Sequence, residues 1–104
     1  MKYSVKHGLP NRKQVRTCVG RAYESYEVRL SEYKPALRWE AEDRATISFT
    51  VMSQTIKAAV HFDEEELHID GKVPFLFKPF EKKIEGVLSS EMEKWLAKAR
   101  AGEL

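Results

Sequence analysis

A chain of 104 residues, 42% hydrophobic and 33% charged with a formal net charge of +2, is sized for one domain that buries roughly 65% of its unfolded surface in a modest core. Its single cysteine, Cys18, excludes an internal disulfide framework and suits a reducing compartment, so the cytoplasm is the expected location. No apolar run approaches the roughly 18 residues of a membrane span, and the N-terminus MKYSVKHGLPNRK has no signal-peptide core, which argues against insertion and secretion.

Lys2 to Lys6 alternates, with Tyr3 and Val5 on one side, and predicts a short edge strand. From Asn11 onward, Val15, Cys18, Val19, Ala22, Tyr23, Tyr26, Leu30 and Tyr33 recur at three- and four-residue spacing. This predicts a helix over 11–33, capped by Asn11 with Gln14 three residues on and stopped by Pro35. The helix is basic: residues 1–36 hold eight Lys or Arg against three Glu, whereas the remainder hold ten against thirteen acids. Arg12, Lys13, Arg16 and Arg21 are therefore the candidates for an anionic partner, set against the plainer role of a solvated helix face.

The period then changes from 3.6 to 2. Leu37, Trp39 and Ala41 alternate with polar residues, Asp43-Arg44-Ala45 reads as a turn, and Ile47, Phe49 and Val51 alternate again. A turn at Ser53-Gln54 would set Val51 opposite Ile56, Phe49 opposite Ala58 and Ile47 opposite Val60. A second turn at Glu64-Glu65 would set Phe62 opposite Leu67 and Val60 opposite Ile69. The result is a four-strand meander whose second face, with Arg38, Glu40, Thr46, Lys57, His61, His68 and Asp70, is polar.

After Gly71, Pro74 and Pro79 bracket Phe75, Leu76 and Phe77. A helix is expected from about Pro79, with a bent lead-in from Pro74, to about Arg100 before Gly102. Gly20 and Gly86 fall inside the two helices, each costing about 1 kcal/mol relative to alanine unless another backbone approaches closely. No repeat, linker or low-complexity tract divides the chain, so residues 1–104 read as a single α+β domain. The expected architecture is a two-layer sandwich in the order (β)-α-β-β-β-β-α, with two helices on one face of the sheet. That arrangement resembles a reduced helix-grip fold, a likeness of fold only.

Several residue sets invite chemistry. His61 and His68 are cross-strand neighbours near Asp63, Glu66 and Asp70, and two imidazoles with a carboxylate could hold zinc. The open face and the lack of groups to orient the rings favour a solvated polar pair instead, with no metal. Cys18 lies on an apolar stripe and reads as a small core residue. The acids of residues 63–66 sit on an exposed turn, with no pocket to perturb them. There is no glycine-rich phosphate loop, nucleophile elbow or paired CxxC, so neither a catalytic residue nor a cofactor is assigned. Val73, Phe75, Leu76, Phe77 and Phe80 form the feature with a surplus: eight residues of bent backbone cannot turn all of them inward. An exposed remainder would make a hydrophobic contact surface.

His7-Gly8-Leu9 before a helix, Trp39 followed by an acidic turn, the alternating meander and VPFLFKPFEKKIEGVL together resemble the small family of polyhydroxyalkanoic acid system proteins. The resemblance covers nearly the whole chain, with Ser53-Gln54 where the family commonly has glycine. It implies association with storage polyester synthesis and granules, and no defined activity, cofactor or binding residue. The leading expectation is a non-enzymatic accessory protein that contacts the granule surface, a granule-associated protein or a second copy through Phe75 to Phe80. The alternative is a small acyl-ligand binder holding its ligand among Trp39, Phe49 and Trp95. Nucleic-acid binding through the basic helix comes third, weakened by the near-neutral charge.

Overall fold

The computed structural model describes residues 1–104, apart from the side chain of Leu76. Strand β1 (Lys2–Lys6) leads into helix α1 (Arg12–Glu27), four further strands follow, β2 (Ala36–Ala41), β3 (Arg44–Val51), β4 (Gln54–Phe62) and β5 (Glu66–Gly71), and helix α2 (Glu81–Arg100) ends the fold. All five strands are antiparallel, in the order β1-β5-β4-β3-β2. This is the α+β sandwich that the alternation implied, with the N-terminal strand added to the edge beside β5.

Both helices lie on the apolar face. Val15, Cys18, Val19 and Ala22 of α1 meet Met92, Trp95 and Leu96 of α2 over Val60, Phe62, Leu67 and Ile69. Five of these, Val15, Cys18, Val60, Leu67 and Leu96, are fully buried. Gly20 and Gly86 have open space where a Cβ would stand, so close backbone approach does not account for either.

Helix α1 starts as expected, with the Asn11 side chain accepting from Gln14 N–H at 3.0 Å. It ends at Glu27, six residues short of the expected boundary. Val28 is 79% exposed, and beyond it the hydrogen bonds tighten from i−4 to i−3 into a 3₁₀ turn, Ser31–Tyr33. Lys34 then takes a left-handed conformation (φ 50°), consistent with the exclusion of right-handed helix before Pro35.

The β2–β3 connection is shorter than Asp43-Arg44-Ala45. A bulge between Trp39 and Ala41 takes up a residue, the chain turns at Glu42-Asp43, and Ala45 is a buried strand residue opposite Trp39. The β3–β4 register differs from the expected one by two residues: Phe49 faces Ile56, Ile47 faces Ala58 and Ala45 faces Val60. The cause is the turn itself. Met52 and Ser53 both have left-handed φ (51° and 64°), as in the mirror-image two-residue turns that match strand twist. A shift of two leaves every side chain on its own face, so alternation cannot detect it. The β4–β5 register agrees with expectation, including Phe62 opposite Leu67 and His61 opposite His68.

The bent lead-in to α2 is a 3₁₀ segment, Phe75–Phe80, containing Pro79. Helix α2 therefore begins at Glu81 rather than at the proline, and it closes at Arg100 before Gly102 (φ 72°).

Candidate functional site: an open apolar end

Polar ties fasten both helices at one end of the sandwich. Arg12, at the start of α1, pairs with Asp43 at 3.2 Å and Glu64 at 3.1 Å. Arg16 donates to the carbonyls of Ala41 and Glu42, both at 3.2 Å, and its guanidinium lies 4.0 Å from the Trp39 ring centroid. Arg100, at the close of α2, donates to the carbonyls of His7 (2.9 Å) and Lys6 (3.2 Å). Of the four cations considered for an anionic partner, Arg12 and Arg16 are thus engaged in holding α1 to the strand turns. Lys13 and Arg21 are exposed.

His7 is the site residue that spacing could not reveal. It is fully buried, accepts from Leu9 N–H at Nδ1 (3.0 Å) and faces the Asp63 carbonyl with Nε2 (2.9 Å). Those two partners require the tautomer protonated at Nε2. Gly8 has φ 66°, and a Cβ there would stand 2.8 Å from Arg100 Nε. The His7-Gly8-Leu9 run is therefore a staple joining β1, the β4–β5 turn and the end of α2. Asp63 shapes the same turn by accepting from the N–H groups of Glu65 (2.8 Å) and Glu66 (2.7 Å). These bonds hold its carboxyl below the usual carboxylate range, a perturbation not expected for an exposed acid.

The opposite end is hollow. A cleft of about 350 Å³ opens between the second half of α1 and the first half of α2, above β3, β4 and β5. Ile47, Phe49 and Ile56 of the sheet, Ala22 and Leu30 beside α1, and Ile84 and Leu88 of α2 line it. A polar corner borders the cleft: Trp95 Nε1–H donates to the Tyr26 hydroxyl at 3.0 Å, and that hydroxyl donates to Glu91 Oε2 at 2.5 Å. Burial first, and then the carboxylate, push the Tyr26 hydroxyl pKa up. The same bond holds the Glu91 carboxyl below its ordinary range.

The aromatic lead-in divides between the two sides. Val73 and Phe77 turn inward and line the cleft. Phe75 is 92% exposed and Phe80 57%; Val87 extends the outward strip along α2, and Ile84 stands at its edge, shared with the cleft. Positions 80, 84 and 87 share a helical face. The Leu76 side chain lies outside the described residues. Of the three residues expected around an acyl ligand, only Phe49 lines the cleft. Trp39 stands edge-on to Phe62 at 6.2 Å and Trp95 edge-on to Tyr26 at 6.4 Å, so the structure does not bring them together with Phe49.

His61 and His68 stack at 4.8 Å. His68 Nδ1 lies 2.7 Å from Ser4 Oγ and Nε2 3.3 Å from Glu66. Among the described residues, no three His, Cys, Asp or Glu side chains gather as a metal cluster. No helix among them is long and apolar enough to cross a membrane.

Burial pushes the Cys18 thiol up to about 11 from 9.0. At pH 8 the native thiolate population is then about 100-fold below that of the unfolded chain, and the sulfur is shielded as well. Reaction with Ellman's reagent is expected to be at least about 100-fold slower in native protein than in urea-unfolded protein; equal rates would contradict the burial. Because the unfolded thiol ionises first, the contribution of Cys18 to stability is full below pH 9 and declines as pH rises toward 11.

The family described as "Putative polyhydroxyalkanoic acid system protein" matches residues 2–96. No curated protein and no solved structure matches the chain. The match runs from β1 through the staple, the whole sheet, the 3₁₀ lead-in and most of α2, and the chain accordingly belongs to the polyhydroxyalkanoic acid system protein family.

Proposed function

We propose that this protein is a non-enzymatic accessory component of the polyhydroxyalkanoate system, acting in the cytoplasm by docking on the hydrophobic surface of the polyester granule. The observation that carries the reading is the outward strip: Phe75 at 92% exposure, followed by Phe80, Ile84 and Val87 on one side of α2. Several large apolar side chains left exposed in one stretch of chain mark a candidate contact surface, since each is worth about 1.5–3 kcal/mol if removed from water. Exposed Lys83 lies on the helix beside the strip, and exposed Lys78 precedes it in the lead-in. Such side chains can lay their aliphatic stems on an apolar surface while the ammonium groups stay in water.

Co-sedimentation with washed granules tests this. The protein is expected to pellet with granules stripped of their own proteins, and Phe75→Asp with Phe80→Asp, in a variant of unchanged circular dichroism, to weaken binding at least about 10-fold. Binding only to granules that retain their proteins would reassign the strip to a protein partner. A stable dimer by analytical ultracentrifugation that the same double variant dissolves would reassign it to a second copy. Binding unchanged in the double variant would overturn the reading.

A further inference from the structure

The outward strip is one lip of a larger apolar end. Arg12 ties the start of α1 to the β2–β3 and β4–β5 turns, and Arg100 ties the close of α2 to His7. The close of α1, the start of α2 and the β3–β4 tip therefore lie together at the opposite end, around the cleft. Among the described residues, every exposed large apolar side chain except Leu104 belongs to that half of the molecule. Val28 follows the lining residue Glu27, Phe75 sits between Pro74 and Phe77, and Met52 caps the hairpin that brings Phe49 and Ile56 to the cleft. These residues come from different sides of the opening. Phe75 and Phe80 join β5 to α2, whereas Val28 ends α1, whose Arg16 lies over Trp39 of β2.

Met52 is the telling member of this set. It is 72% exposed, and it shares with Ser53 a left-handed φ (51° and 64°) in a two-residue turn closed by Val51 opposite Gln54. That backbone is unfavourable for methionine and suits asparagine and glycine. No internal packing offsets it, because Met52 belongs neither to the core cluster nor to the cleft wall. A large apolar side chain is thus held outward on a strained turn, and strain of this kind gathers at functional contacts. The tip around it, Thr50 to Ile56, carries no charge, and its hydroxyl and amide groups can donate to a partner that offers only acceptors. The end is also narrow. Strand β4 and helix α2 each run about 30 Å along the long dimension of 39 Å, which leaves an end of 24 by 23 Å, about 550 Å². Each partner in a standard protein–protein interface gives roughly 800 Å², so the end is small for a stable contact with a second copy.

We propose that the protein meets the polyester surface end-on, with its strands upright. Met52 at the hairpin tip and Val28 after α1 make the contacts across the cleft from Phe75 and Phe80. An ester polymer presents the matching chemistry, apolar and uncharged with carbonyl acceptors only. The proposal rests on granule docking and adds its orientation and a second set of contacts.

Protein-free particles of amorphous polyester are the probe. Met52→Asn combined with Ser53→Gly gives the turn its preferred residues, so it should raise Tm by about 2–6 °C and yet weaken pelleting at least about 5-fold. Val28→Asp, at a position already 79% exposed, should weaken pelleting to a similar degree with circular dichroism unchanged. Met52→Cys can be labelled selectively with an environment-sensitive fluorophore, because Cys18 is buried. Its emission should shift to the blue on the particles, whereas the same label on Glu65→Cys, at the opposite end, should emit as it does in water. Two failures are distinguishable. Wild type that does not pellet would overturn granule docking, and the end-on contact with it. Pelleting that Phe75→Asp with Phe80→Asp removes, but that the tip variant and Val28→Asp leave intact with the label at position 52 still in water, would overturn the end-on contact alone.

Discussion

Leu96→Ala and Leu67→Ala are each expected to destabilise the fold by about 3–5 kcal/mol, while Val87→Ala stays within about 0.5 kcal/mol of wild type. Both leucines are fully buried and Val87 is 57% exposed. Leu96 comes from α2 and Leu67 from β5, and both belong to the core cluster with Val15, Cys18, Val60 and Phe62. Truncating either removes its transfer free energy and leaves a cavity that helices pinned by Arg12 and Arg100 cannot easily close. A domain of this size is held by about 5–15 kcal/mol in total, so the loss should appear as a fall in Tm of about 12–25 °C. Urea unfolding followed by circular dichroism measures all three variants. A Val87→Ala cost equal to that of Leu96→Ala would mean that Val87 is packed rather than exposed, and the granule-docking proposal would lose its basis.

That unequal packing explains what the sequence could and could not reveal. Alternation placed Ile47, Phe49, Ile56, Val60, Leu67 and Ile69 on one face correctly, because side-chain parity follows from local periodicity. It could not choose between registers two residues apart, which depend on Met52 and Ser53 accepting left-handed φ. The end of α1 was misplaced for a related reason. Leu30 and Tyr33 keep helical spacing, and a 3₁₀ turn preserves enough of that spacing to look like helix. In the lead-in, the surplus of apolar residues was legible from composition, but the sorting of Phe77 inward and Phe75 outward required the 3₁₀ geometry. The cleft is an absence of side-chain volume between elements distant in sequence, and no residue pattern announces it. Trp39 and Trp95 were natural choices for a ligand wall by size, yet Arg16 and Lys98 cover their rings and they serve the packed side of the fold.

His7→Ala should cost about 2–4 kcal/mol, a large effect for a residue close to the start of the chain. The imidazole satisfies two backbone groups at once, the Leu9 N–H and the Asp63 carbonyl, and its removal leaves the buried Leu9 N–H without a partner. Two conservative replacements divide the contribution. In His7→Asn, the side-chain oxygen can stand near the position of Nδ1 and keep the Leu9 bond while losing Asp63. In His7→Gln, the amide nitrogen can reach toward the position of Nε2 and keep Asp63 while losing Leu9. Each should recover about half of the alanine loss in urea unfolding. Hydrogen exchange adds a readout that mere loss of packing would not give: the Leu9 amide should lose protection in His7→Gln beyond the change in global stability, and retain it in His7→Asn. Stability of His7→Ala within about 0.5 kcal/mol of wild type would show that water replaces the ring at no cost, and the staple would then be a consequence of the fold rather than one of its supports.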